Sequence, residues 1–449
     1  MRVRLTWLLA TILILAPAAA TQVLEVPLTL EKRPDQGRVF FPLGITRLPG
    51  LLEAPEGEWK FPPLNSEVPI YSLANLGDGQ ILFILDRKET KSPFYDRLYA
   101  DTNGNRDLTD DPVLDVTATR RSIPGTEKGM SAYSQFRIDD AVIQVGGKPS
   151  PYHFKVNAYY SNVRRKRSGP GKPLEVTVLK RTPAEAAAAV NLNLFTNAAY
   201  RGAFSLGDKT YHVILSDNNA DGRFGRRMQL HGSRKLGARN DLLYLSTTNR
   251  FTYQDGMEIG DLLCLGGRVF GVEFHPSEGK LALTPKTENL VRVPLPMEVE
   301  RLHFVSEDEA TVIMAFRAGK AIALPAGRYR LHSYQVNRKD DGGNVWELKA
   351  AAEENSPVFS VGGGETPALA FGEPYVPTAK VLSLPGKGAS LQLQVLGAGG
   401  EVLKHLRCLS ANKSSLVRSA RKKTLPLEPT YKVLAGNGEV AAQGTFKYG

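Results

Sequence analysis

The stretch Tyr211-His-Val-Ile-Leu-Ser-Asp217-Asn-Asn-Ala-Asp-Gly-Arg223 joins a strand-like run to an acidic turn. Earlier in the chain, Arg97-Leu-Tyr-Ala-Asp101-Thr-Asn-Gly-Asn-Arg-Asp107 has the same order of features. β-branched and aromatic residues bounded by Asp, Asn and Gly are typical of β-strands that end in turns. The sequence therefore predicts a β-rich fold in which two strands each lead into an acidic loop.

Strand signals also dominate the rest of the chain. Short β-branched or aromatic runs occupy residues 81–85, 136–138, 141–145 and 174–179. Helical periodicity is confined to two short candidates. Residues 182–190 open with Thr182 as a cap and Pro183 as the first helical residue, and residues 348–354 carry a weaker signal. This distribution predicts a mainly β protein.

The order of features along the chain predicts its domains. Residues 21–150 and 151–290 form two related β units, each with one acidic loop followed by a Gly-Gly turn and an extended segment. Residues 291–449 then predict one or two C-terminal β-sandwich modules of immunoglobulin-like type, because short strands alternate with Gly and Asn hairpin turns. A chain of 449 residues needs several such units, since single cores rarely exceed about 250 residues.

Residues 1–20 are predicted to be a secretory signal peptide. Arg2 and Arg4 precede an apolar run over residues 5–15, and a run of small residues ends at Ala20. The apolar run is short for a membrane span, and no later run is long enough, so no transmembrane segment is expected after cleavage. The expected location is secreted or periplasmic; an uncleaved N-terminal anchor is the alternative.

Charge and cysteine content say little about partners. Lys and Arg number 57 against 46 Asp and Glu, a net charge of +11 that removal of Arg2 and Arg4 reduces to +9. This balance weakly favours acidic surfaces, and solubility explains it equally well. The basic run at residues 162–172 predicts an exposed loop; it lacks interleaved aromatic residues, so no nucleic-acid partner is expected. Cys264 and Cys408 are either two free thiols or one disulfide, and the sequence does not decide between them.

The second acidic loop has the ligand spacing of a calcium site. Asp217, Asn219 and Asp221 stand at positions one, three and five, a glycine stands at position six, and the Arg223 carbonyl is available at position seven. Position twelve lacks the usual acid, so Asp241 is the predicted source of the remaining carboxylate.

The first acidic loop offers a less regular set of oxygen ligands. The candidates are Asp101, Asn103, Asn105, Asp107 and Asp111. Its glycine comes two positions earlier than in an EF-hand loop. Several carboxylates so close together repel one another unless a cation neutralises them. Calcium with a structural role is therefore the predicted cofactor, and plain Asx/Gly turns between strands are the alternative reading.

These loops resemble the D-x-N-x-D-G loops of EF-hand, dockerin and thrombospondin type 3 modules. Together with the signal peptide and the C-terminal hairpins, they resemble uncharacterised secreted bacterial proteins that carry such loops on β-rich domains. The resemblance implies no activity. The function expected from the sequence is a secreted, calcium-stabilised binding or scaffold protein of the cell envelope, with glycan or envelope protein as partner.

A catalytic site is not apparent in the sequence. The seven histidines show no metal-ligand spacing, and no nucleophile elbow or phosphate-binding glycine loop occurs. Paired carboxylates need only spatial proximity, so an extracellular hydrolase acting on polysaccharide or peptide is the alternative function. Its candidate residues are Asp139, Asp140, Glu258 and Asp261.

Overall fold

A computed structural model describes residues 22–34, 40–123, 126–167, 174–228, 240–352, 356–362, 367–384, 388–409, 430–434 and 436–445. Strands account for 57% of the structure and helices for 3%, which confirms the mainly β class. The predicted signal peptide lies outside the described residues. Among the helices that are described, none has the length and apolar character of a membrane span.

The strands are β1 (Leu24–Lys32), β2 (Ile45–Leu48), β3 (Ile70–Leu76), β4 (Gly79–Asp86), β5 (Arg97–Ala100), β6 (Leu114–Asp115), β7 (Thr119–Ser122), β8 (Met130–Val145), β9 (Lys148–Ser161), β10 (Val163–Arg167), β11 (Leu174–Val178), β12 (Asn191–Thr196), β13 (Ala198–Leu206), β14 (Lys209–Ser216), β15 (Leu242–Ser246), β16 (Gly256–Glu258), β17 (Leu262–Leu265), β18 (Arg268–His275), β19 (Lys280–Lys286), β20 (Leu290–Pro294), β21 (Val299–Ser306), β22 (Val312–Ala318), β23 (Ala321–Pro325), β24 (Gly327–Lys339), β25 (Val345–Ala351), β26 (Val358–Val361), β27 (Val376–Leu384), β28 (Gly388–Leu396), β29 (Val402–Cys408), β30 (Thr430–Leu434) and β31 (Val440–Thr445). One α-helix, α1 (Pro183–Ala188), and two 3-10 turns (Tyr253–Asp255 and Pro276–Glu278) accompany them.

Two small sheets pack into a sandwich in the N-terminal half. One has the order β3-β4-β5-β6 and the other the order β2-β12-β9-β8-β7. Alternate residues of facing strands, such as Phe83 on β4 and Phe154 on β9, meet in a shared core with their rings 5.7 Å apart. Inward apolar and outward polar alternation produces this arrangement, since successive side chains of a strand point to opposite faces.

A third, much larger sheet has sixteen strands. Its order is β16-β15-β14-β13-β1-β19-β18-β17-β22-β21-β24-β25-β29-β28-β27, with β26 paired to β24. Side chains from β13–β15 and from β17–β19 share one core, and β20–β25 enclose another. Strand β1 lies in the middle of this sheet, where Leu28 pairs with Gly202 and Leu24 pairs with Leu283.

The sheet pairing crosses the predicted domain limits. Residue 150 lies inside the long β8–β9 hairpin, and β1 pairs with strands of the second predicted unit. Strand β17 pairs in parallel with β22, so one sheet runs past residue 290. The units recognised in the sequence therefore share sheets.

The local predictions have mixed outcomes. Helix α1 is confirmed, with Thr182 and Glu185 forming a reciprocal capping box. The helix predicted over residues 348–354 is wrong, because β25 covers Val345–Ala351 and pairs with β24 along its whole length. The basic run is not wholly a loop, since β10 pairs with β11 as a two-stranded ribbon. Both cysteines are free, and Cys264 is buried in the core.

Candidate metal-binding loops

Both acidic loops begin where a strand ends. Asp101 follows β5 and Asp217 follows β14, as the sequence predicted. Both first-position aspartates are completely buried, at 0% exposure. A carboxylate at such depth needs hydrogen bonds or a cation to offset its lost hydration.

The two loops share one hydrogen-bond pattern, counted from Asp101 or Asp217 as position one. The position-one carboxylate accepts from the backbone N–H groups of positions five and six, at 3.1 and 3.2 Å in the first loop and 3.2 and 2.8 Å in the second. The side-chain oxygen at position three accepts from position five, and that at position five accepts from position seven. Alternate oxygens therefore face the inside of each turn.

The backbone conformation is shared as well. Positions four and six are left-handed in both loops, with φ of 74° and 66° at Gly104 and Arg106, and of 57° and 80° at Ala220 and Gly222. Each loop thus places glycine at only one of the two positions. The glycine of the first loop, which stands two positions earlier than in an EF-hand, fills the other left-handed position, so the loops are two copies of one turn.

A second aspartate completes each loop from a distance. The backbone N–H at position two donates to Asp111 in the first loop, at 3.0 Å, and to Asp241 in the second, at 3.2 Å. Burial raises the pKa of both carboxyls, and the neighbouring position-one carboxylate raises it further. Each loop therefore brings two buried carboxylates close together.

One oxygen in the first loop has no partner. Asp111 is 8% exposed, and its Oδ2 atom is buried without a hydrogen-bond partner in the described part of the chain. Its Oδ1 atom accepts from both the backbone and the hydroxyl of Thr102. A buried, unpartnered carboxylate oxygen next to a second carboxylate is a position where a bound cation would lower the energy.

The available ligands suit a hard cation, though they are few. Across the described ranges, no three or more His, Cys, Asp or Glu side chains converge to hold a metal ion. Each loop instead combines two carboxylates with Asn amide and backbone carbonyl oxygens. That mixture is the donor set that calcium uses.

Other predicted ligands are engaged elsewhere. The Asp107 carboxylate accepts from Lys60 Nζ at 2.7 Å, and this bond lowers its pKa to about 2. The Asn105 amide donates to Asp110 at 2.8 Å. The Arg223 guanidinium binds Asp78 at 3.1 Å, and since a guanidinium has no acceptor, Arg223 can offer a metal only its backbone carbonyl. Asn219 donates to Asp221 at 2.9 Å.

The second loop also connects the large sheet to the small sandwich. Its strand, β14, belongs to the large sheet, whereas Ala220 is buried in the core of the small sandwich. The Asp221 carbonyl accepts from Gly77 N in the β3–β4 turn at 2.7 Å, and Arg223 Nε donates to the Gly77 carbonyl at 3.1 Å. A ligand that rigidifies this loop would therefore also rigidify the contact between the small sandwich and the large sheet.

Sequence reasoning missed two residues that hold the second loop. The Tyr152 hydroxyl on β9 donates to Asp217 at 2.6 Å, and Arg226 Nη1 donates to Asp221 at 2.6 Å. Strand alternation places Tyr152 on the inward face of β9, but nothing in the sequence names its partner. Arg226 supplies positive charge to Asp221 rather than to the buried pair.

The carboxylates considered for a hydrolase have structural partners. Asp139 pairs with Arg137 at 2.6 Å and Asp140 pairs with Lys32 at 3.1 Å. Asp261 accepts from Val312 N at 2.8 Å, and so connects β17 to β22. None of these contacts forms two facing carboxylates across a cleft.

The buried histidine His303 predicts an acid-sensitive region in the large sheet. Burial lowers the pKa of His303 to about 4, and its Nε2 lies 3.1 Å from the Glu258 carbonyl. The folded state then binds fewer protons than the unfolded state, in which a histidine pKa is about 6.5. Stability is therefore fully present above that value and is lost as the pH falls.

We expect the free energy of unfolding to drop by about 2 kcal/mol between pH 7 and pH 5 through this group, measured by urea unfolding. The His303→Gln variant should show a flatter pH profile over that range. The half-buried His212 provides the control His212→Gln. A wild-type profile that is no steeper than that of His303→Gln would contradict the assignment.

Comparisons with known proteins identify no relative. No family, no curated protein and no solved structure matches this chain.

Proposed function

We propose that the protein is a secreted or periplasmic, calcium-stabilised β-rich binding or scaffold protein of the cell envelope. The observation that carries the proposal is the repetition of one oxygen-lined turn at Asp101 and Asp217, each closed by a second buried aspartate. Plain Asx turns do not require a distant carboxylate to be buried beside the first. A calcium ion offsets the repulsion within each pair.

The position of the second loop supports a structural role for the metal. The loop joins the small sandwich to the large sheet, so an ion bound there stabilises the packing of one against the other. Sensor proteins that respond to calcium use helix pairs that open, and the described elements consist almost entirely of strands. A scaffold held rigid outside the cell, where calcium is abundant, is the function that this placement favours.

Calcium is expected to raise the melting temperature by about 3 °C or more at saturating concentration, because binding to the folded state alone contributes roughly 2–3 kcal/mol at a hundredfold excess over Kd. Isothermal titration should detect up to two sites. Magnesium should produce a smaller shift, since it gives up its water shell reluctantly.

The double variant Asp111→Asn, Asp241→Asn is the matched control. It keeps one oxygen acceptor at each position and removes one charge from each buried pair. Both Asp241 oxygens accept a backbone N–H, from Asn218 and from Arg226, so asparagine gives up one of these bonds. The double variant should therefore be somewhat less stable than the wild type in chelator and should lose the calcium-dependent shift. Absence of both heat and melting shift in the wild-type protein would contradict calcium binding.

A further inference from the structure

A cavity of about 810 Å³ lies in the N-terminal half, away from both acidic loops. Its walls come from the segment between β4 and β5, the start of β8, and the segment that leads into α1. We call it the basic cleft. Its volume is in the range of clefts that hold small ligands, about 300–1,000 Å³.

The basic cleft carries an excess of positive charge. Five cationic side chains line it, from Arg87, Arg120, Lys128, Lys180 and Arg181. Only two carboxylates do so, those of Glu67 and Glu127. Within the described residues, none of the five cations forms an ion pair with a carboxylate. Their charge is therefore available to a ligand.

Two of the arginines are held in place by aromatic rings. The Arg87 guanidinium lies 5.7 Å from the ring centre of Tyr95, and that of Arg181 lies 5.6 Å from the ring centre of Tyr160. The Arg87 Nε atom is buried and has no hydrogen-bond partner in the described structure. Stacked guanidinium groups are preorganised, so they lose little entropy when they bind a planar or tetrahedral anion.

Another cavity lined by arginines differs from the basic cleft in how its arginines are paired. It lies beside the second acidic loop and has a volume of about 690 Å³. There, Arg223 pairs with Asp78, Arg226 with Asp221, and Arg227 with Asp261. Three of the four arginines that line this cavity are therefore neutralised, and Arg47 donates to Asn191 without a carboxylate partner among the described residues. The basic cleft is therefore the better anion site of the two.

Polar groups and buried rings narrow the class of ligand. Ser66 and Thr182 add hydroxyl groups to the wall of the cleft, which suit a ligand rich in hydroxyls. The Asn162 amide is already bonded to Met130 N and to the Lys128 carbonyl. Tyr95 and Tyr160 are 4% and 8% exposed, so they offer no open ring face on which a nucleotide base would stack. The basic strand β10 extends from the same region, since Asn162 directly precedes it.

We propose that the basic cleft binds an acidic oligosaccharide through its carboxylate or sulfate groups. The guanidinium groups of Arg87, Arg120 and Arg181 bind the anionic substituents, and the neighbouring polar groups bind sugar hydroxyls. This site is separate from the acidic loops, so glycan binding and calcium binding succeed or fail independently.

The test is isothermal titration of the full chain with three hexasaccharides. Hexagalacturonate supplies carboxylates, a heparin-derived hexasaccharide supplies sulfates, and maltohexaose is neutral. We expect one or both acidic sugars to bind, more weakly as sodium chloride is raised, and maltohexaose not to bind. The responses of the two acidic sugars distinguish carboxylate from sulfate recognition.

Single substitutions test whether the acidic sugar binds in the basic cleft. Arg181→Gln and Arg120→Gln should each weaken binding about tenfold, since a charge-assisted hydrogen bond is lost. Arg268→Gln removes the same charge from the exposed first residue of β18 and should leave binding unchanged. Circular dichroism checks that each variant is folded.

Four results would overturn the proposal. The first is no binding of either acidic sugar, and the second is equal binding of maltohexaose. The third is an equal loss of affinity in Arg268→Gln, which would indicate a diffuse charge effect. Binding of a twelve-nucleotide oligothymidylate that is abolished by Arg181→Gln would reassign the cleft to nucleic acid and also refute the glycan class.

Discussion

Replacing Asp217 with alanine is expected to lower the free energy of unfolding by about 3 kcal/mol even in the absence of calcium. The carboxylate accepts from the Tyr152 hydroxyl at 2.6 Å, from Gly222 N at 2.8 Å and from Asp221 N at 3.2 Å. The Tyr152 hydroxyl and Gly222 N lose this acceptor in the variant, whereas Asp221 N keeps its bond to Asn219 Oδ1. Tyr152 lies at 0% exposure, where water does not replace the lost acceptor. Relief of repulsion with Asp241 offsets part of this loss.

Chemical denaturation in chelator measures the effect, and a second series with calcium separates the two roles of the residue. If calcium binds, the gap between wild type and variant widens when calcium is added, because only the wild type gains from the ion. Asp208→Ala, in the exposed turn between β13 and β14, is the matched control and should change stability by about 0.5 kcal/mol or less. An Asp217→Ala protein as stable as this control would refute the anchoring role.

The substitution Gly44→Ala is expected to destabilise the protein by about 3 kcal/mol or more, because no space exists for a methyl group. A Cβ atom at this position would lie 1.9 Å from the backbone oxygen of Asp217 and 2.9 Å from the Asn218 Cα atom. These atoms belong to the main chain and do not rotate away. Gly44 is also fixed by its N–H, which donates to the Thr196 hydroxyl at 2.6 Å.

The clash falls on the second acidic loop, so the variant should also bind calcium more weakly. Thermal melting and titration calorimetry measure the two effects on one sample. Gly79→Ala is the control, since a Cβ atom there meets nothing within 4 Å and this glycine has no left-handed φ. Equal melting temperatures for the two alanine variants would show that the loop shifts freely, contrary to the packing observed.

Local features of this fold were predictable because they depend on short-range chemistry. Short apolar, β-branched and aromatic runs bounded by turn residues mark β4 and β14, and Thr182 with Pro183 marks α1. The run at residues 348–354 was misleading because alanine and glutamate favour helices locally. Pairing of β25 between β24 and β29 overrides that preference.

The candidate site was predictable to a similar depth. The spacing of Asp217, Asn219 and Asp221 is enough to identify them as candidate ligands. Asp241 was expected beside this loop, and it accepts a hydrogen bond from Asn218 N. The equivalence of Asp111 to Asp241 depends on which backbone N–H each accepts, and side-chain spacing carries no such information. The basic cleft was beyond sequence reasoning, because its five cations come from three separate segments of the chain.

The central position of β1 has a consequence for how the chain reaches its native state. Its neighbours are β13 on one side and β19 on the other, so the middle of the large sheet closes only after residues near 283 have been synthesised. Contacts so distant in sequence slow folding, because loop-closure entropy is lost before the contacts form. Until β1 pairs with β13 and β19, the edges of those two strands are unpaired and prone to intermolecular pairing. Folding of this protein is therefore expected to be slow and sensitive to concentration, and stable once β1 is in place.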